Sequence, residues 1–219
     1  MRNKHSVPFL TAVGWLAAFA LWTVLVSRMD VQAIGPGGSA VGFATVNRFI
    51  HNLTGVHMAL YTVTDWLGLV PVGFGLGFAV WGLAQWIRRK RLRQVDFSLL
   101  ALGGFYLVVL GVYLLFETVV INYRPVLIDG YLEASYPSST TLLVLCVMPT
   151  SVMQLRRRIQ NPVWRKGLCL LLTAFTAFMV VGRLLSGVHW FSDIVGGGLL
   201  SAGLVLLYRW VLGFSPKSG

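Results

Sequence analysis

Charge is what this chain has least of. Of its 219 residues only 11% are charged, where a soluble globular domain carries about a quarter. Acidic residues are scarcest, seven against 18 Lys and Arg, while 56% of the chain is hydrophobic. That balance excludes a disordered chain, a soluble coiled coil and most soluble enzymes. Cysteine is limited to Cys146 and Cys169, each inside an apolar stretch. They read as buried spectators, with no disulfide framework or metal site between them. No repeat recurs at a fixed period, and no low-complexity tail or long linker divides the chain. The expectation is a single membrane domain over residues 1–219.

Long uncharged runs are what the chain has most of. A spanning helix needs about 20 apolar residues, because the hydrocarbon core is roughly 30 Å thick and each residue rises about 1.5 Å. Suitable runs are Ser6–Ser27, Trp66–Ile87, Phe97–Phe116 and Ala134–Leu155. Two shorter runs, Gly167–Gly182 and Ile194–Tyr208, reach spanning length if Arg183 and the His189–Asp193 stretch are included at their ends. The predicted fold class is therefore all-α, a polytopic bundle of six transmembrane helices. The first run is too long for a signal peptide and ends at Ser27-Arg28-Met29-Asp30 without a small-residue cleavage pattern. A seventh apolar region, Phe49–Thr64, contains His51, Asn52 and His57. It reads as an interfacial helix in the first outer loop, preceded by a loop at Ile34–Gly38. Gly73 and Gly77, and the Gly196-Gly197-Gly198 run, predict close helix packing.

The net charge of +11 suggests nucleic acid until the charges are placed. Six spans put Arg2 and Lys4, Arg88 to Arg93, Arg156 to Lys166, and Arg209 and Lys217 on one side. The other side keeps only Arg28, Arg48, Arg124 and Arg183. The first side is then cytoplasmic, with both termini, and no nucleic-acid partner is needed to explain the charge.

Three segments carry chemistry, and the topology brings all three to the outer face. They are Glu117 to Pro125, containing Arg124; Tyr136-Pro137-Ser138-Ser139-Thr140-Thr141; and Gly182-Arg183 to Asp193, containing His189. The two Arg offer planar forks of donors suited to phosphate oxygens. Ser138 and Ser139 offer hydroxyls, and the helix start beside them offers unpaired backbone N–H groups. His189 is a candidate nucleophile. Asp193, four residues on, shares its helix face and can fix its tautomer. Cations around an in-line nucleophile make a phosphoryl-transfer constellation. The Arg-x5-His-x3-Asp spacing arises from composition roughly 0.006 times in such a chain, so chance does not account for it.

These segments, within residues 117–193, resemble the signature of the type-2 phosphatidic acid phosphatase superfamily. Its members are integral-membrane lipid phosphatases related to vanadium haloperoxidases. The family pattern is Lys-x6-Arg-Pro, then Pro-Ser-Gly-His, then Ser-Arg-x5-His-x3-Asp. The resemblance implies a metal-independent phosphatase without cofactors. Its partners would be membrane lipids and a lipid phosphate or diphosphate substrate, of the isoprenyl diphosphate, phosphatidate or phosphatidylglycerol phosphate class. The site would lie on the outer face of a bacterial plasma membrane. His189 would form a phosphohistidine, Asp193 would orient it, and Arg124, Arg183, Ser138 and Ser139 would hold the phosphoryl group. Four positions depart from the pattern. Ser139 replaces Gly, Gly182 replaces Ser, Glu117 replaces the Lys, and Thr140 replaces the general-acid His. A positioned general acid is worth roughly 10²–10⁴ in rate, and a Thr hydroxyl is too weak an acid to serve. The alternatives are a proton donor elsewhere (Glu133, Asp129, His51, His57 or Glu117) or an inactive lipid-phosphate binder or carrier on the same scaffold.

Overall fold

The computed structural model describes residues 6–214. Arg2, Lys4 and Lys217, which enter the charge count above, lie outside the described residues. Eight α-helices follow in order: α1 (Ser6–Arg28), α2 (Ala44–Thr54), α3 (Met58–Leu67), α4 (Leu69–Arg89), α5 (Phe97–Thr118), α6 (Ser139–Arg158), α7 (Pro162–Leu185) and α8 (Phe191–Leu212). A two-residue antiparallel pair, β1 (Gln32–Ala33) with β2 (Ala40–Val41), interrupts the all-α pattern. It is formed where Ile34–Gly38 turns the chain back.

Among the described residues, five stretches are long and apolar enough to cross a membrane: Val7–Arg28, Met58–Arg89, Phe97–Thr118, Pro162–Leu185 and Phe191–Leu212. The expected fourth span, Ala134–Leu155, is the exception. It starts later, as α6, and is too polar to qualify, because Thr150, Ser151 and Gln154 are buried along it and Arg156 to Arg158 close it. Protein surrounds this helix: it packs against α4, α5, α7 and α8, so its polar groups meet partners instead of lipid. Thr150 bonds the Cys146 carbonyl and Tyr106, and Gln154 bonds the Ser98 carbonyl.

The Phe49–Thr64 region is not one helix. Gly55, with φ of 69°, ends α2, and the chain restarts at Met58. The second expected span therefore begins eight residues before Trp66, and α3 stands as its first ten residues with Asp65 inside it. Gly196 and Gly197 do permit close approach, to Tyr136 and to Thr141 with Ser138. Gly73 and Gly77 do not, since a side chain at either would meet nothing within 4 Å.

The largest core cluster joins α1, α5, α6 and α8 through Phe19, Leu102, Phe105, Leu142, Leu204 and Tyr208. A second joins α6 to α7 through Val144, Val147, Met148, Leu172 and Met179. Both free cysteines are buried. At one end of the bundle the turn after α7 is locked onto the break between α2 and α3. His57 N–H donates to the Ser186 carbonyl at 2.9 Å. Gly187 has φ of 68°, and a Cβ there would lie 1.9 Å from the Gly55 carbonyl oxygen. Gly187→Ala therefore adds left-handed strain and a backbone clash, for a cost of about 3 kcal/mol or more. Thermal unfolding in detergent should show a clearly lowered Tm, and an unchanged Tm would contradict this packing.

Candidate active site

The site is assembled at the end where α8 begins. His189 lies in the turn ahead of α8, not on the helix, so the face-sharing argument from its spacing with Asp193 is corrected. The two meet because Asp193 is in the first turn of α8 and its carboxylate folds back. Oδ2 accepts the Trp190 backbone N–H at 2.9 Å, the reciprocal half of a helix cap. His189 Nδ1 then stands 3.8 Å from Asp193 Oδ2, a charge contact longer than a hydrogen bond.

Asp193 is fully buried, so its charge needs internal donors. Asn122 Nδ2 donates to Oδ1 at 3.2 Å. Asn122 also donates to Ser192 Oγ and accepts from the Gly42 N–H. Asn47 accepts the Ser192 N–H at 3.0 Å and donates to Ser192 Oγ and the Gly42 carbonyl. Sequence reasoning missed Asn47, which lies on α2 far from the three segments, and passed over Asn122 and Ser192, which lie inside two of them but at no position of the motif pattern.

On its other side His189 faces Arg124, with Nη1 at 3.3 Å from Nε2. A guanidinium only donates. The pairing therefore assigns the lone pair to Nε2 and the proton to Nδ1, toward Asp193. Burial pushes the His189 pKa down to about 4. The Asp193 carboxylate acts against this, and the Arg124 and Arg183 charges add to it. The imidazole is thus neutral at pH 7, the state a nitrogen nucleophile requires.

Arg183 is 1% exposed, and α3 supplies its surroundings. Nη2 pairs with Asp65 at 3.2 Å, Nη1 donates to Thr64 Oγ1 at 3.4 Å, and the Tyr61 ring lies 4.9 Å from Cζ. Tyr61 also lies under Arg124 at 6.0 Å. The two guanidiniums thus flank one ring. Gly182 explains its own departure from the family pattern: a Cβ there would meet Thr64 Cγ2 at 2.8 Å, so a serine would push α3 and Asp65 off α7. Asp65 escaped the sequence reading, although a carboxylate inside an apolar stretch is a signal that a cation waits for it.

The remaining expected residues divide. Ser138 caps α6, its Oγ accepting the Thr141 N–H at 3.4 Å and its own N–H donating to the Asp193 carbonyl at 3.1 Å. That tie brings the start of α6 to the start of α8 and leaves the first-turn N–H groups of Ser139 and Thr140 without intrahelical partners. Thr140 lies one turn before Val144, on the stripe that packs against α7. The Ser139 and Glu117 side chains are elsewhere. They line a small crevice with Tyr113, Phe116 and Pro137, which neither Arg nor His189 borders. The sign change at Glu117 therefore does not fall on the two guanidiniums.

Buried nitrogens without a hydrogen bond gather here: Arg124 Nε, Arg183 Nε and His189 Nδ1. Arg124 Nε lies 2.9 Å from Glu133 Oε2, but its N–H is not aimed along that line. Two buried cations and spare donors are groups that can receive an anion, and the neutral imidazole beside them carries a free lone pair. Among the described residues, no three His, Cys, Asp or Glu side chains group as metal ligands.

Fold and site together define an integral-membrane protein of the phosphatase type. The PAP2 superfamily model matches residues 98–216, and the chain belongs to that superfamily. Its fold is similar to the crystal structure of the first transmembrane PAP2 type phosphatidylglycerolphosphate phosphatase from Bacillus subtilis. The TM-score is 0.52 at 20% identity, over 95% of this chain and 97% of that one. No curated protein matches the chain.

The buried neutral His189 makes stability depend on pH. Its folded pKa lies below the unfolded value of about 6.5, so its contribution is complete above pH 6.5. It is lost as pH falls toward 4, amounting to about 3 kcal/mol at most. Against His189→Gln, the wild-type Tm in detergent should fall more steeply between pH 6.5 and 4 and run parallel above 6.5. Parallel curves throughout would contradict the buried neutral imidazole.

Proposed function

We propose that this protein is a lipid phosphatase that works through a phosphohistidine at His189 without a metal. The carrying observation is the buried neutral imidazole held between Asp193 and Arg124, with Arg183 beside it. The guanidiniums and the first-turn N–H groups of α6 receive the phosphoryl oxygens. His189 Nε2 attacks phosphorus in line, and Asp193 steadies the imidazolium that develops. Water then releases phosphate from His189.

We read α6 as the sixth span, shielded by its neighbours, which gives an even number of crossings. The basic segments then face the cytoplasm and the site faces outward, in the plasma membrane of a bacterium. The substrate is a lipid phosphate or diphosphate with its headgroup at that face, of the isoprenyl diphosphate, phosphatidate or phosphatidylglycerol phosphate class. The Bacillus subtilis protein of similar fold is a phosphatidylglycerolphosphate phosphatase, which places that lipid first for trial. The second reading is a lipid-phosphate binder or carrier without turnover. It is favoured by Thr140 at the general-acid position and by carboxylates already on both Arg.

Phosphate release from phosphatidylglycerol phosphate and from an isoprenyl diphosphate, in detergent micelles, separates the two readings. The enzyme releases phosphate from at least one, and His189→Gln lowers the rate by roughly 10³-fold or more. Binding without release, lost in Arg124→Ala but kept in His189→Gln, would select the binder.

A further inference from the structure

If His189 is the nucleophile, as proposed above, a proton must still reach the departing lipid oxygen, and Thr140 cannot supply it. The five candidates named from sequence are now placed. Glu117 is exposed beside the Ser139 crevice. Asp129, with φ of 49°, and Gly130, with φ of 84°, form the tip of a two-residue turn closed by Ile128 and Tyr131. His57 is exposed and bonds the Thr54 carbonyl, while His51 packs against Trp190. Glu133 alone touches the cluster.

Its position is set by backbone geometry. The loop between α5 and α6 folds as an irregular hairpin, with Tyr123 paired to Ala134. Arg124 N–H donates to the Glu133 carbonyl at 3.0 Å, and Ser135 N–H donates to the Asn122 carbonyl at 2.9 Å. Glu133 is thus the cross-strand neighbour of Arg124. Its Oε2 lies 2.9 Å from Arg124 Nε, while Arg124 Nη1 lies 3.3 Å from His189 Nε2. One guanidinium separates the carboxylate from the attacking nitrogen. Asp65 is a residue further away, since its partner Arg183 bonds Thr64 and Asp65 and not His189. The Glu133 side chain is 43% exposed and that of Arg124 9%, so the carboxylate stands on the open edge of the site.

We propose that Glu133 is the catalytic residue that protonates the leaving group, taking over the work of the position held by Thr140. A phosphomonoester monoanion brings a proton on its own P–O–H group, and the Glu133 carboxylate takes it up on binding. As the Nε2–P bond forms and the ester P–O bond breaks, that proton passes from Glu133 to the departing lipid oxygen. In the second half-reaction water attacks phosphorus and the P–N bond breaks. Both protons of that water stay on the dihydrogen phosphate product, neutral His189 is restored, and the step makes no demand on Glu133.

The test compares two leaving groups on one preparation of the full-length protein in detergent. One substrate is a dialkyl-chain phosphatidate, whose alkoxide needs protonation. The other is p-nitrophenyl phosphate, whose phenolate leaves without it. Glu133→Gln is expected to lower turnover of the phosphatidate by about 10²–10⁴-fold, and of the aryl ester by less than about tenfold. Because the readout is a ratio, partial misfolding cancels. If Glu133→Gln does not fold, Glu133→Asp keeps the charge, shortens the reach, and should show the same selective loss. Equal losses on both substrates would make Glu133 a structural partner of Arg124. Equal gains would make it a competitor for the phosphate clamp. Either result overturns the proposal while leaving the phosphatase reading intact. If the wild type turns over neither ester, phosphatidylglycerol phosphate replaces the phosphatidate in the comparison, and no release from that lipid or from an isoprenyl diphosphate removes the phosphatase reading itself, and this proposal with it.

Discussion

The site depends on one buried carboxylate. Asp193 has no exposed surface, and an ionised group in that position is tolerated only if donors surround it. Meeting that demand organises the bundle end. The Trp190 N–H, brought by the turn, starts α8. Asn122 ties the α5–α6 loop to the same carboxylate, and through Gly42 and Ser192 links it to the α1–α2 connection and Asn47. Ser138 N–H, on the Asp193 carbonyl, docks α6. His189 is positioned almost as a by-product, with one nitrogen toward the carboxylate and the other toward Arg124. A charge that orders four segments around itself also fixes the tautomer that nucleophilic attack needs.

The second constraint is the doubling of the cation clamp by carboxylates. Arg183 with Asp65, and Arg124 with Glu133, form two ion pairs around Tyr61. A buried guanidinium without a counter-charge is strongly destabilising, so these pairs let both Arg remain charged inside a mostly apolar bundle. They also set what a phosphate must do on arrival. On the proposed reading it displaces or shares donors already committed to carboxylates, and its charge is balanced by the same two cations. Exposure of both acidic partners, 56% for Asp65 and 43% for Glu133, places them on the side where water or an anion can replace them.

The candidate site residues were legible in the sequence because they occur in short ordered motifs with fixed spacings. Arg124, Ser138, Arg183, His189 and Asp193 all lie together at the end of the bundle where α8 begins. What supports them was not legible. Asn47 and Asn122 reach Ser192 and Asp193 from far along the chain, and only tertiary packing decides that. Tyr61, Thr64 and Asp65 were hidden for another reason: apolar periodicity continues through α3 into α4, so its outer ten residues read as surface helix. Hydrophobic runs located the helices, and α6 can carry Thr150, Ser151 and Gln154 because other helices enclose it, where a lipid-facing one cannot. Glu117 and Ser139 matched the motif register by count. They nonetheless line a crevice that Arg124, Arg183 and His189 do not border, since one residue of rotation on a helix changes the neighbour it faces.

The central claim is that His189 accepts the phosphoryl group at Nε2, and the nitrogen itself can be read. The protein is mixed with a radiolabelled or isotopically marked lipid phosphate, quenched in alkali during turnover, and digested for peptide mapping and phosphorus NMR. The account predicts an acid-labile phosphate on His189, attached at Nε2, because Nδ1 carries its proton toward Asp193. Turnover with no phosphate on His189, or with phosphate on Nδ1, would contradict it.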